Sequence, residues 1–151
     1  MRYLLLLIPL FLTISCVKTE SSSQPKEIIR TDNAPAPASE GVYSQAVRSG
    51  NTLYLSGQIG LIPESRKLVA DDLESQTHQT LKNIKAVLEA AGYSISDVVK
   101  AQVFLDDIND YGAFNDIYTT YFSQDPPARA VVEVSRIPLD AKVEIMVTAN
   151  K

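Results

Sequence analysis

The stretch VVKAQVFLDDINDYGAFNDIYTTYF, residues 98–122, changes its hydrophobic period halfway along. In VVKAQVFL, alternate residues Val99, Ala101, Val103 and Leu105 fall on one side, a period of two that predicts a strand. After Asp110 the apolar positions become Phe114, Ile117, Tyr118, Tyr121 and Phe122, spaced for one face of a helix that Asp110 would cap. A strand joined by a short acidic turn to an amphipathic helix predicts a sheet with helices laid on it.

The same pattern continues upstream. Leu73, Thr77, Leu81, Ile84, Leu88 and Ala91 have helical spacing, with Gly92 as the stop. Asp71 and Asp72 are candidate caps, and Glu74 stands three after Asp71 as in a capping box. LIPESRKLV (61–69) reads as a loop. YSQAVRSGNTLYLSGQI (43–59) reads as two strands around a Ser-Gly-Asn turn, with Leu53, Leu55 and Ile59 on one face and Tyr54, Ser56 and Gln58 on the other. KEIIRT (26–31) is a short strand, followed by the Pro-rich connector DNAPAPASEG (32–41).

Downstream, ARAVVEVSRI (128–137) and KVEIMVTAN (142–150) predict two more strands. The order β-β-β-α-β-α-β-β implies an α+β fold, one sheet with two helices packed on one face. The uncovered face would hold Val131, Met146, Phe104 and Tyr54 beside Gln102, Glu144 and Ser56. Such a mixed but substantially apolar face predicts burial against other copies of the chain.

The N-terminus is of another kind. MRYLLLLIPLFLTISC has Arg2 and then an apolar run, Tyr3–Ile14. That run is too short for a bilayer, which needs about 20 residues. It predicts a signal peptide over 1–15. LTISC resembles a bacterial lipobox, with Ser15 before Cys16 and Thr13 where Leu, Val or Ile is usual. Cys16 is the sole cysteine of the chain and stands where lipidation would need it. The expected organisation is a lipidated Cys16 and flexible tether over 16–25, then one domain over 26–151. The protein would be exported and anchored to a bacterial membrane. Cleavage before Cys16 takes the net charge from −4 to −5, which disfavours nucleic acid as a partner.

Few chemistries remain. One His and one Cys make no metal-ligand cluster. No G-x-S-x-G elbow, P-loop or G-x-G-x-x-G is present. His78 reads as a solvated helix residue. Arg129 and Val131 share a strand face with Glu133. Taken alone, Arg129 reads as a strand-end cation, solvated or paired with an acid such as Glu133, although its planar fork also suits a substrate carboxylate. Glu144 interrupts the apolar run VEIMV and reads by itself as a rim or ion-pair residue.

Several ordered blocks together resemble the YjgF/YER/UK family, the reactive-intermediate deaminases known as Rid proteins. They are IIRTDNAPAP, YSQAV, LYLSGQIG, QTLKNIKAVLEAAG, VFLDDINDYGAFNDIYTTYF and PPARAVVEVSRIPLDAKVEIMVTA. The likeness runs from Lys26 to Lys151. It implies a chorismate mutase-like fold: a homotrimer whose sheets line a central barrel, with active sites in clefts between subunits. It implies cofactor-free, metal-free hydrolysis of 2-imino acids and their enamine tautomers, such as 2-aminoacrylate, to 2-keto acids and ammonia. Carried onto this chain, Arg129 binds the carboxylate, Glu144 positions the attacking water, and Tyr43, Ser56 and Asn115 complete the cleft. Two positions depart from the pattern. Val131 replaces a common Cys, and GVY (41–43) replaces Gly-Pro-Tyr. The alternatives are a non-catalytic trimer that binds small acids and, disfavoured by the charge, an RNA-cleaving inhibitor of translation.

Overall fold

A computed structural model describes residues 25–38 and 41–151. The predicted signal peptide, Cys16 and nearly all of the tether lie outside the described residues. Among the described residues, no helix is long and apolar enough to cross a membrane. The chain forms β1 (Glu27–Ile29), β2 (Ala46–Ser49), β3 (Thr52–Leu55), β4 (Gln58–Ile59), α1 (Leu73–Ala90), β5 (Val98–Leu105), α2 (Tyr111–Tyr121), β6 (Ala128–Glu133) and β7 (Val143–Asn150). The strands make one sheet in the order β1-β2-β3-β7-β5-β6, and β4 also pairs with β7. Among the described strands only β5 and β6 run parallel, as a strand-helix-strand crossover through α2 requires.

Strand β7 shows why the sheet has two unlike faces. Val143, Ile145, Val147 and Ala149 are buried, while Glu144, Met146 and Thr148 point the other way. Ala101, Val103 and Leu105 of β5 join the buried set, and both helices close over it with Leu81, Ile84, Val87, Leu88, Phe114 and Tyr118. Each fully buried aliphatic side chain contributes about 1.5–3 kcal/mol. The predicted α+β sheet with two helices on one face is therefore the observed fold. The β2–β3 hairpin turns through Gly50, whose φ of 58° suits glycine.

Local details differ from the sequence reading. Asp72 caps α1, accepting from Ser75 N at 2.7 Å, so the Asp71–Glu74 box is not used. Asp110 makes no side-chain cap. A 3₁₀ turn over Ile108–Asp110, capped by Asp107, leads into α2 instead. A register irregularity between Val98 and Lys100 buries Val98 and leaves Val99 exposed.

The largest difference lies at Ser56-Gly57. Tyr54 pairs with Thr148, but Gln58 pairs with Ile145, so this side carries one residue more than β7. Such a bulge exchanges faces. Gln58 is buried on the helix side, and Ile59 lies beside Glu144. Val131 is also not on the open face: it lies in register with Val103 and packs against the core. The open face still presents Tyr54, Phe104, Val132 and Met146 beside Lys100, Gln102 and Thr148.

Candidate active site

The bulge at Ser56-Gly57 opens a cleft of about 720 Å³, walled by the Pro-rich connector, the β3–β4 junction and the 138–139 turn. Tyr43, Ser56, Gly57, Ile59, Arg66 and Glu144 are among its lining residues. Buried Gln45 shapes the connector. Its amide accepts from Thr31 N at 2.8 Å and donates to the carbonyls of Thr31, Ala34 and Pro35 at 3.0–3.1 Å. Helix α1 braces the other wall: Asn83 donates to the carbonyls of Ile59 and Leu61, and Gln76 accepts from Lys142 N at 2.8 Å. Gly60 permits this approach, since a Cβ there would stand 2.8 Å from Gln76 Cα.

Within the cleft, the Ser56 hydroxyl donates to the Ser44 carbonyl at 2.6 Å, leaving its lone pairs to accept. The Tyr43 hydroxyl accepts from Ala38 N at 3.3 Å. Glu144 stands on the open face, opposite Ile59 on one side and Phe104 on the other. Its carboxylate lies against Gly57, where an added Cβ would meet Oε1 at 1.8 Å. Burial raises its pKa above the usual carboxylate value. A carboxyl so placed can hold a water and exchange a proton with it.

Arg129 is held elsewhere. It is half-buried under α2, where its Nη2 donates to Asn115 Oδ1 at 2.7 Å and to the Tyr111 hydroxyl at 3.4 Å. The guanidinium stands 4.5 Å from the Tyr118 ring centroid and 5.7 Å from that of Phe114. These rings supply a cation–π platform. Glu133 is not its partner, since that carboxylate accepts from Ile108 N at 3.0 Å. Among the described residues no carboxylate pairs with Arg129. The Tyr118 hydroxyl is buried without a hydrogen-bond partner among the described residues, and burial pushes its pKa up to about 12, with Arg129 pulling the other way.

Tyr111 is a neighbour of Arg129 that sequence reasoning missed. Its pKa is lowered by its hydrogen bond with Asn115 and then by the charge of Arg129. The available signal was helical spacing, for Tyr111, Asn115 and Tyr118 line one face of α2 at i, i+4 and i+7.

The structure thus brings Tyr43, Ser56 and Glu144 together, and separately Arg129 and Asn115. The two groups lie on opposite faces of the sheet. Arg129 is in register with core-facing Ala101, on the edge strand β6, whereas Glu144 pairs with Phe104 on the open face. A single chain does not unite them. His78 belongs to neither group and is not simply solvated: it is half-buried, with Nδ1 3.0 Å from the Tyr121 hydroxyl, linking α1 to α2. Among the described residues, no group of three or more His, Cys, Asp or Glu side chains could hold a metal ion.

The family described as Endoribonuclease L-PSP matches residues 32–151. The chain belongs to this family. It is 50% identical to a RutC family protein of Pyrococcus horikoshii over 126 residues, covering 83% of this chain and 98% of that protein. It is 45% identical to the 2-iminobutanoate/2-iminopropanoate deaminase of Rattus norvegicus over 124 residues, covering 82% and 89% of the two chains. The crystal structure of E. coli TdcF with bound serine superposes with a TM-score of 0.77 at 37% identity, covering 83% of this chain and 98% of that one. The family resemblance read from the sequence blocks is borne out.

Proposed function

We propose that this chain hydrolyses 2-imino acids and their enamine tautomers to 2-keto acids and ammonia, in sites shared between neighbouring copies of a homotrimer. The observation that carries this reading is Arg129, a half-buried guanidinium braced by Asn115 and an aromatic platform, with no carboxylate partner among the described residues. A guanidinium so positioned is a receptor for a small acid. The deaminase name carried by a relative 45% identical supports the reaction class, and the serine bound to TdcF supports a small amino-acid-like ligand.

In this mechanism Arg129 holds the substrate carboxylate, and Asn115 and Tyr111 hold Arg129. Glu144 orients a water and takes one of its protons as the oxygen attacks the imine carbon. The C=N π pair moves to nitrogen, which takes that proton from Glu144, giving a neutral tetrahedral carbinolamine. In the collapse Glu144 takes the hydroxyl proton as the C=O bond forms and passes it to nitrogen as the C–N bond breaks, expelling ammonia. Ser56 and Tyr43 offer polar contacts around the reacting centre. An imine is already electrophilic, so no protein nucleophile is needed and Val131 leaves the chemistry intact. Positioning and proton transfer each contribute, the latter about 10²–10⁴-fold.

Because Arg129 and Glu144 occupy opposite sheet faces, a complete site takes Arg129 from one copy and Glu144 from the next. The apolar groups of the open face, exposed Tyr54 and half-buried Phe104 and Met146, supply a surface for that assembly. The lipobox-like LTISC supports export and anchoring through Cys16 to a bacterial membrane; Cys16→Ser would then release the protein from the membrane fraction. A net charge of −4 argues against polyphosphate substrates.

The test is complementation. Imine is generated in situ by an amino acid oxidase, and keto-acid release is followed. Arg129→Ala and Glu144→Ala should each be inactive alone. Mixed by co-refolding or co-expression, they should recover about one quarter of wild-type activity, since that share of random head-to-tail interfaces pairs two intact halves. Wild-type rates equal to buffer would refute the deaminase reading, and absence of recovery would refute the shared site.

A further inference from the structure

The turn after β4 contains a residue that its backbone does not favour. Leu61 and Leu68 bridge across a tight loop, with Ile62 N donating to the Lys67 carbonyl and Arg66 N to the Ile62 carbonyl, both at 2.9 Å. Arg66 closes the turn at a φ of 54°. That left-handed conformation is open to glycine and disfavoured for a long L side chain. The Arg66 side chain makes no hydrogen bond or ion pair with the described residues, so nothing there offsets the strain.

What Arg66 does is line the cleft, where among the described residues it is the one lining cation and Glu144 the one lining acid. Apolar Ile59, Leu61, Pro138 and Leu139 share those walls with it, and Arg66 is itself exposed, which leaves its fork free to meet a second charge in the cleft.

We infer that Arg66 is a specificity residue, selecting imino acids whose side chain ends in a second carboxylate, the imines of aspartate and glutamate. The inference rests on the deaminase reading. The α-carboxylate is taken by Arg129 and the imine carbon lies before Glu144, so the substrate side chain is left to the remaining cleft. There the Arg66 fork can accept a carboxylate through two parallel N–H donors. A neutral side chain such as that of the alanine imine gains nothing from Arg66.

The experiment compares kcat/KM for the glutamate-derived and alanine-derived imines in wild type, Arg66→Gly and Arg66→Lys. Glycine suits the φ of this turn, so lost activity in Arg66→Gly cannot be assigned to misfolding. A charge-assisted contact predicts that the glutamate-to-alanine ratio falls about ten-fold or more in Arg66→Gly. Arg66→Lys should restore part of it, and 2-oxoglutarate should inhibit wild type better than Arg66→Gly. An unchanged ratio with active wild type overturns the selection by Arg66 alone. Failure of wild type to hydrolyse either imine overturns the deaminase reading and this inference with it.

Discussion

Replacing Gly57 by alanine should separate activity from stability. Gly57 does not have a positive φ, so alanine is compatible with the backbone, and its smaller unfolded-state entropy favours folding by about 0.4–1 kcal/mol. The new Cβ, however, would stand 1.8 Å from Glu144 Oε1, where ordinary contact begins at 3.4 Å. The carboxylate must withdraw by about 1.6 Å. It can do so, being the end of a flexible side chain, so the fold survives while the proposed water-holding group leaves its place. A misplacement of about 1 Å costs on the order of 10²-fold in rate, so kcat should fall about 10²-fold or more. The assay pairs thermal unfolding with steady-state hydrolysis of the alanine-derived imine. A Gly57→Ala protein with wild-type kcat would refute the placement of Glu144 at the reacting centre. A protein that fails to fold would refute the claim that the carboxylate is the yielding partner.

Other outcomes follow from the same geometry. Arg129→Lys keeps the charge but loses the fork and the aromatic stacking, so KM should rise about 10-fold or more in steady-state kinetics, and a wild-type KM would remove Arg129 from substrate binding. Glu144 has a folded-state pKa raised by burial above its ordinary 4.5. The folded state therefore binds its proton more tightly than the unfolded state, and stability falls as pH rises from the ordinary value through the raised one. Glu144→Gln should accordingly be more stable than wild type above that window and not below it, and denaturant titrations across pH check the sign. The acid limb of wild-type kcat/KM should also lie above the ordinary glutamate value. Tyr118→Phe removes a buried hydroxyl that has no partner among the described residues while keeping the ring under Arg129, so it should stabilise the protein by about 1 kcal/mol, raising Tm by about 3 °C, with activity retained.

Much of the fold was legible in the chain because its periods are strong. The strand-to-helix switch at residues 98–122 and the alternation of β7 each appear where the spacing places them. Two departures from the spacing share a cause. Ser56-Gly57 and Val98–Lys100 shift the ladder by one residue, and a period of two gives no warning when a bulge exchanges its faces. The facing of Val131 is set by its neighbour strand and not by spacing within β6: its register with Val103 turns it toward the helices. The place of His78 is hidden from local spacing because its partner, Tyr121, lies on the other helix.

The sequence by itself determined the fold class, the two helices and their apolar stripes, and the candidate set Tyr43, Ser56, Asn115, Arg129 and Glu144, because these depend on local spacing and on the residues that carry the family resemblance. Only the tertiary structure decided how that set divides. Strand pairing puts Arg129 under α2 at a sheet edge and Glu144 on the opposite face over Gly57. It also brings Arg66, from the 61–69 loop, into the same cleft as Glu144. Such proximity depends on register and on which face a side chain takes, and a one-dimensional pattern does not contain either.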